Sequence, residues 1–321
     1  MTTKGRVLAA LAALTLGGAL APAAAQNAPA ATPPAPPPGF MRSEPLGAGP
    51  WDFETAEGKV HAEVVASLPR PWSLAFLPDG DMLVTERDGR LRVIRDGKLD
   101  PVAIAGLPPI NPAGIGGLYD VALDPDFGNN RRIYLSYVKP SPEDHDHTTL
   151  AVLRATWDGG LSLTNVEDIF VADAWHGKAP VPKRCCGQGP ASGSFGGRIL
   201  FGPDGKLYVT SGDRNYGEMV QKPDNHFGKI LRLNPDGSVP ADNPFVGRAG
   251  WKPEIWSTGH RNPLGLTVHP ETGELWETEF GPRGGDELNF IARGNNYGWI
   301  DVTQGSTTTT SRPRASARSR A

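Results

Sequence analysis

A short unit of strand, Pro-Asp-Gly turn and strand recurs along this chain of 321 residues. Phe76 to Thr85 reads FLPDGDMLVT and Phe201 to Thr210 reads FGPDGKLYVT, while residues 123–137 and 268–279 carry looser copies. Such turns between apolar runs favour β-hairpins. Because the hairpins repeat without an amphipathic helix, the pattern predicts an all-β fold and favours a β-propeller over a β-sandwich.

Four further Asp-Gly pairs follow apolar runs, and we expect each to be a hairpin turn. They are Asp88-Gly89, Asp96-Gly97, Asp158-Gly159 and Asp236-Gly237. The longer segments between the hairpins are expected to be loops between blades, where functional residues usually lie.

Residues 1–25 have the features of a secretory signal peptide. Lys4 and Arg6 precede an apolar stretch over residues 7–21, and Ala23-Ala24-Ala25 forms a small-residue cleavage site. An uncleaved membrane anchor is the alternative. We expect cleavage near Ala25 and a periplasmic or secreted product. Since no later segment is long and apolar enough to span a bilayer, we expect that the product is not an integral membrane protein.

Three further regions follow the predicted signal peptide. Residues 26–50 are rich in Ala and Pro, which predicts a disordered, extended linker. The predicted propeller covers residues 51–305. Residues 306–321 are basic and lack a strand pattern. They are either a natural basic tail or a frameshift product, and we favour the frameshift, which would leave the closing blades missing.

Charge and cysteine content exclude two classes of protein. The formal net charge is −3 at pH 7, and four of the arginines lie after Gly305. Nucleic-acid binding needs clustered Lys and Arg, so we expect no nucleic-acid partner. The two cysteines, Cys185 and Cys186, are adjacent and cannot form a disulfide framework. They form either a vicinal disulfide or free thiols.

Several segments together resemble the soluble sugar dehydrogenases that depend on pyrroloquinoline quinone (PQQ), the glucose/sorbosone dehydrogenase family. The segments are RPWSLAFLPDGDMLVTERDGRLRVI, GGLYDVALDPDFGNNRRIYLSY, FGGRILFGPDGKLYVTSGDR, HFGKILRLNPDGSVPADNPF, GHRNPLGL, FGPRGGDELNFI and NNYGW, in family order. The resemblance implies a six-bladed β-propeller, of which about four blades are present here. It also implies PQQ and calcium as cofactors and an aldose sugar as substrate.

The resemblance assigns residues to the cofactor. In Gly259-His260-Arg261-Asn262-Pro263, it implies that Arg261 and Asn262 contact PQQ, with Arg261 close to the developing charge. PQQ is a tricarboxylate, and arginine suits carboxylates. The alternative for Arg261 is a stacked side chain in a loop between blades.

The resemblance also assigns metal ligands. It implies that the backbone carbonyls of Gly281 and Pro282 hold the calcium that bridges to PQQ, and carbonyl oxygens suit this hard cation. It further implies a structural calcium site with the Glu287 carboxylate and the Tyr297 backbone carbonyl. A solvated loop carboxylate is the alternative for Glu287.

Two positions depart from the family pattern. Where the family has its base histidine, four residues before Arg198, this chain has Ser194. A neutral serine cannot replace imidazole unaided at pH 7. Where the family has a cofactor-contacting glutamine, before Gly116, this chain has Ile115. Both departures weigh against ordinary sugar oxidation.

Other residues could supply the missing base. The candidate histidines are His145, His147, His176 and His226. We expect the first two to be solvated, whereas His176 could overhang the site. Asp213, in Gly212-Asp213-Arg214, could line the site, or it could be a turn aspartate paired with Arg214.

The sequence therefore predicts a PQQ-dependent sugar dehydrogenase that oxidises an aldose or related alcohol. No haem-attachment motif C-x-x-C-H is present, so the electrons are expected to pass to an external acceptor. The alternative is a secreted, non-catalytic β-propeller that binds carbohydrate or a protein partner. Ser194 and Ile115 favour the alternative, whereas the enzyme is favoured by Arg261, Asn262, Gly281 and Pro282.

Overall fold

The computed structural model describes residues 49–178 and 193–306, and these divide between two compact units, residues 1–67 and 68–321. The first unit contains one antiparallel hairpin, formed by β1 (Trp51–Thr55) and β2 (Gly58–Ala62). The predicted signal peptide, Cys185-Cys186 and residues 307–321 lie outside the described residues.

The second unit consists of four antiparallel sheets in chain order. Blade 1 contains β3 (Pro71–Phe76), β4 (Met82–Glu86), β5 (Arg90–Arg95) and β6 (Lys98–Leu99). Blade 2 contains β7 (Leu118–Leu123), β8 (Arg132–Pro140), β9 (Thr148–Thr156) and β10 (Thr164–Val171). Blade 3 contains β11 (Gly196–Phe201), β12 (Leu207–Ser211), β13 (Lys229–Leu233) and β14 (Ile255–Thr258). Blade 4 contains β15 (Pro263–Val268), β16 (Leu275–Glu279) and β17 (Glu287–Ile291).

In each blade, the strands that are adjacent in sequence pair with each other. The first strands β3, β7, β11 and β15 pack against one another in succession. This is a β-propeller with four blades in the described residues, and the predicted fold class is confirmed.

The repeated hairpin units form as predicted, with one difference. Pairing of Phe76 with Met82 closes the hairpin of blade 1, and pairing of Phe201 with Leu207 closes that of blade 3. In blade 2 the turn instead contains a single helical turn, α1 (Phe127–Asn130). The Asp124 carboxylate accepts a hydrogen bond from the backbone of Asp126 at 2.9 Å, and the ring of Phe127 is buried. Burial of this ring explains the longer connection.

Three of the four Asp-Gly pairs connect adjacent strands, and the fourth does not. Asp236-Gly237 forms a turn closed by a hydrogen bond from Asn234 N to Ser238 O at 2.8 Å, but β14 begins only at Ile255. The prediction of a strand-to-strand hairpin there is wrong. A Cβ on Gly237 would lie 2.0 Å from the carbonyl oxygen of Ile169 in β10, so this turn packs against the neighbouring blade.

The apolar core lies between successive blades. One cluster joins blades 1 and 2 through residues such as Leu91 and Ile133, and a second joins blades 2 and 3 through Val152 and Leu207. A smaller cluster joins blades 3 and 4. Each such side chain contributes about 1.5–3 kcal/mol when fully buried, so packing between blades fixes where the strand ends meet.

Among the described residues, no helix is long and apolar enough to cross a membrane.

Candidate functional site

Three of the predicted site residues meet at the end of the propeller where β11 begins, β12 ends and β15 begins. Asp213 N donates to Arg261 O at 2.7 Å, and Arg214 N donates to Ser194 O at 3.1 Å. Gly196 N donates to the Asn262 side-chain oxygen at 3.1 Å. The strand ends therefore hold Ser194, Arg261 and Asn262 around Asp213, and we call these four residues the polar cluster.

Asp213 is the carboxylate of the polar cluster and is fully buried, with 0% exposure. Its Oδ1 accepts from Asn215 N at 2.8 Å, and its Oδ2 accepts from Trp299 Nε1 at 2.9 Å. Burial raises the pKa of Asp213, while the charge of Arg261 and a hydrogen bond from the Ser194 side chain partly oppose that rise. Asp213 is therefore a carboxylate with more basic character than a solvated aspartate.

The Arg261 guanidinium is buried and only partly paired. One of its terminal nitrogens donates to Phe280 O at 2.8 Å, and its carbon lies 5.6 Å from the centre of the Trp299 ring. Its Nε is buried without a hydrogen-bond partner among the residues that the structure describes. Such an unused donor on a cation suits an anionic ligand.

Ser194 is almost fully buried and has an unusual backbone conformation. Its φ is 52°, in the left-handed region, which histidine, asparagine and aspartate adopt more readily than most residues. The adjacent Gly212 allows this close approach, because a Cβ there would lie 2.2 Å from Ser194 O. The backbone at this position is therefore compatible with the histidine expected from the family.

Ile115 lies one blade away from the polar cluster, before β7. Its carbonyl accepts a hydrogen bond from the Tyr119 hydroxyl at 2.8 Å, and the Tyr119 ring lies 5.7 Å from that of Phe195, next to Ser194. The Ile115 side chain is 38% exposed. Ile115 therefore connects to the cluster through two aromatic rings and offers no polar side-chain atom.

The segment after β16 brings Gly281 and Pro282 next to Arg261, since the carbonyl bonded by Arg261 belongs to Phe280. A Cβ on Gly281 would lie 2.2 Å from Gly284 O and 2.4 Å from Gly285 O. Only glycine fits at this position, and carbonyl oxygens surround it. Oxygen atoms of this kind are ligands that calcium prefers.

Glu287 and Tyr297, the other predicted calcium ligands, lie in and after β17. Glu287 pairs with Glu279 across β16 and β17. The Tyr297 hydroxyl donates to Phe290 O at 2.5 Å and accepts from Ala292 N at 2.8 Å. The Tyr297 hydroxyl is therefore engaged in two hydrogen bonds. The backbone carbonyl is the group of Tyr297 that can bind a cation.

Sequence reasoning missed two buried glutamates beside Glu287. Glu277 is 1% exposed and Glu279 is 5% exposed. Burial raises the pKa of Glu277 to about 8. Burial, together with the charge of Glu277, raises the pKa of Glu279 well above its usual value. The sequence signal available for them was the alternation Glu277-Thr278-Glu279 in a strand, because residues two positions apart lie on the same face of a sheet.

His260 completes a group with these glutamates. Its ring is fully buried and burial lowers its pKa to about 3, so it is neutral. One ligand atom from each of His260, Glu277 and Glu279 lies within 4.8 Å of the other two. We call these three residues the buried triad.

Two of the other histidine candidates are engaged in structural contacts. His176 Nδ1 lies 2.9 Å from the Tyr216 hydroxyl, and the two rings are stacked. His226 Nδ1 accepts from Asp173 N at 2.8 Å, and burial lowers its pKa. Of the two expected to be solvated, His147 lies 3.3 Å from the Asp144 carboxylate.

These features define an all-β propeller with a buried Arg-Asn-Asp cluster and a carbonyl-rich loop at the strand ends. The chain belongs to the glucose/sorbosone dehydrogenase family, whose sequence profile matches residues 68–320.

Curated relatives support this assignment. Aldose sugar dehydrogenase YliI of Escherichia coli is 39% identical over 252 residues, which are 78% of this chain and 64% of the relative. Quinoprotein glucose dehydrogenase B of Acinetobacter calcoaceticus is 31% identical over 74% of this chain and 52% of its own length. The chain therefore spans between half and two thirds of the length of these relatives.

Solved structures show the same similarity. The apo form of the E. coli aldose sugar dehydrogenase aligns with a TM-score of 0.65 at 39% identity, over 74% of this chain and 64% of that one. The PQQ-bound aldose sugar dehydrogenase of Streptomyces coelicolor aligns with a TM-score of 0.60 at 31% identity, over the same shares.

Proposed function

We propose that this protein oxidises an aldose sugar or a related alcohol to the lactone or carbonyl product, using PQQ and passing the electrons to an external acceptor. The observation that supports this proposal best is the polar cluster. It places a partly unpaired Arg261 cation, the Asn262 amide and the Asp213 carboxylate together at one end of the blades. The names of the relatives agree with the proposal.

The residues present fit PQQ. The unused Nε donor of Arg261 suits a carboxylate of this tricarboxylate, and we assign Arg261 and Asn262 to its binding. When bound, PQQ supplies an electrophilic quinone that accepts hydride. The protein's contribution is to orient the cofactor and the substrate and to exclude water.

The residues present also fit calcium. We propose that the carbonyls of Gly281 and Pro282 hold one ion next to the cofactor, and that Glu287 and the Tyr297 carbonyl hold a second. The oxygens crowded around Gly281 support the first assignment. A divalent ion close to the quinone would increase its electrophilicity.

For the proton of the sugar hydroxyl, we propose that Ser194 and Asp213 act together. Ser194 alone has no basic group. The Ser194 side chain donates a hydrogen bond to Asp213, and burial raises the pKa of Asp213. The Ser194 hydroxyl would accept the proton of the sugar hydroxyl and, in the same step, donate its own proton to the Asp213 carboxylate. Asp213 would then hold that proton. Arg261 limits how far the pKa of Asp213 rises, so the carboxylate can still ionise.

The proposed location is the periplasm or the outside of the cell, after removal of residues 1–25. The alternative function is a non-catalytic propeller that binds carbohydrate or a protein. It is favoured by Ser194 and by the exposed, apolar Ile115 in place of polar cofactor contacts.

Reconstitution separates the two functions. The protein is mixed with PQQ and Ca²⁺, and reduction of an artificial dye is followed for a panel of aldoses. Sugar-dependent dye reduction supports the enzyme. Tight PQQ binding without dye reduction would contradict the catalytic assignment, and sugar binding without PQQ binding would favour the alternative.

A further inference from the structure

The buried triad lies beside the polar cluster but belongs to a different set of atoms. Glu277 and Glu279 alternate along β16, so their side chains share one face of the sheet. His260 precedes β15 in the same blade. All three residues are less than one tenth exposed.

Two polar atoms of the triad have no hydrogen-bond partner among the residues that the structure describes. Glu277 Oε1 and His260 Nδ1 are both buried without a partner among the described residues. His260 Nδ1 lies 4.0 Å from Glu279 Oε2, which is too far for a hydrogen bond. One atom of Glu277 and one of His260 are therefore buried without a hydrogen bond to any residue that the structure describes.

The surrounding charges do not neutralise the triad. Glu287, across the strand pair from Glu279, adds a third carboxylate. The nearby Lys229 Nζ donates to Val220 O and Phe227 O, and the Arg261 guanidinium donates to Phe280 O. Within residues 49–178 and 193–306, no lysine or arginine side chain pairs with Glu277 or Glu279.

Each possible ligand is oriented by one further contact. His260 Nε2 lies 2.8 Å from the Ser257 hydroxyl. Glu277 Oε2 accepts from Asn289 Nδ2 at 3.1 Å, and Glu279 Oε2 accepts from Arg261 N at 2.6 Å. When Nε2 donates to Ser257, Nδ1 presents its lone pair to the glutamates. Hydrogen bonds of this kind orient the side chains that bind a metal ion.

We propose that the buried triad binds one divalent transition-metal ion, with Zn²⁺ as the preferred cation. An imidazole nitrogen with two carboxylates matches zinc, whereas calcium takes oxygen ligands alone. In a tetrahedral zinc site, ligand atoms lie roughly 3.4 Å apart, so atoms spread over up to 4.8 Å here would move inward on binding. This site is distinct from the calcium sites proposed at Gly281, Pro282, Glu287 and Tyr297, and does not depend on the proposed function.

The test measures zinc stoichiometry in the full chain. Because Cys185 and Cys186 could also bind zinc, both are replaced by serine in the background protein. After EDTA treatment and removal of the chelator, the protein is dialysed against micromolar Zn²⁺ with millimolar Ca²⁺, and bound metal is measured by mass spectrometry.

The expected result is one zinc per chain in the background protein, and its loss in Glu277→Gln, which retains an acceptor for Asn289 but cannot ionise to bind the metal. Glu254→Gln is the matched control, because it changes a different Glu-His pair, with His226 at 3.6 Å. It should keep the zinc. A background protein without zinc, equal zinc in the Glu277→Gln variant, or displacement of the zinc by Ca²⁺ overturns the proposal.

Folding is checked by near-ultraviolet circular dichroism without metal. If the Glu277→Gln protein does not fold, Co²⁺ added to the background protein decides the question. A visible d–d absorption band at one equivalent supports the site, and its absence contradicts it.

Discussion

The carboxylate of Asp213 accepts a hydrogen bond from the indole nitrogen of Trp299 at 2.9 Å, although the two residues are 86 positions apart. This bond stabilises the charged form of the buried aspartate. It therefore links the segment after blade 4 to the protonation state of the polar cluster.

Replacing Trp299 by Phe should move the acidic limb of the activity profile to higher pH. Without the indole donor, which favours the charged form, the pKa of Asp213 rises further, and the carboxylate is protonated over a wider range of pH. The rate of dye reduction against pH measures this shift. Trp256→Phe is the control, because its buried indole nitrogen has no partner among the described residues. If both variants retain the wild-type profile, Asp213 is not the proton acceptor.

Replacing Ser194 by His should increase sugar-dependent dye reduction by roughly 10²–10⁴-fold, which is what a positioned base supplies. The left-handed φ of 52° at this position accommodates histidine. Ser194→Asn is the control, since asparagine tolerates the same backbone but is not a base. No gain for histidine over asparagine, with PQQ bound to both, would show that the site does not use a base here.

Replacing Gly281 by Ala should distort the carbonyl-rich loop. The added Cβ would meet two backbone oxygens at 2.2 and 2.4 Å, and we expect a loss of about 1–3 kcal/mol in stability, with weaker Ca²⁺ binding. Thermal unfolding and calcium titration measure both effects. Gly128→Ala, where a Cβ meets nothing within 4 Å, is the control. Equal melting temperatures for the two variants would show that the loop adapts.

The turns of this fold were predictable because hairpin chemistry is local. Pro-Asp-Gly and Asp-Gly segments fix the chain reversal within a few residues, so the hairpins after Phe76 and Phe201 follow from the sequence. The turn around Phe127 was less predictable because burial of one ring against the neighbouring blade changes it.

The site was only partly predictable. Arg261, Asn262 and Gly281 lie in motifs that resemble the family, but their partners come from distant segments. Trp299 lies in the NNYGW segment, in which the resemblance gives the tryptophan no role, and its bond to Asp213 depends on how the segment after blade 4 packs. Glu277 was missed because a glutamate in a strand is ordinarily expected to face solvent.

Glu277 should also give the metal-free protein a stability that decreases with pH. Burial raises its pKa from the ordinary value of 4.5 to about 8, so between these values the folded protein holds a proton that the unfolded chain has lost. The unfolding free energy therefore falls as pH rises from about 4.5 to 8, by at most about 1.4 kcal/mol per pH unit.

Urea unfolding in a chelating buffer at several pH values measures this slope. Glu277→Gln should make the slope smaller, with buried Glu279 supplying the part that remains, and should be more stable than wild type at pH 8. Glu167→Gln, which changes a glutamate that is largely exposed, should leave the slope unchanged. An equal slope in wild type and the Glu277→Gln variant would contradict the inferred protonation.

The most direct test of the proposed function is the dissociation constant for PQQ, measured by fluorescence or calorimetry with Ca²⁺ present, in wild type, Arg261→Ala and Arg131→Ala. Arg131 lies after α1 in blade 2 and not in the polar cluster, so its variant should bind as wild type does. Loss of a charge-assisted hydrogen bond predicts that Arg261→Ala binds PQQ roughly 10- to 100-fold more weakly. Equal affinity in all three proteins, or no PQQ binding by the wild type, would contradict the assignment of this site to the cofactor.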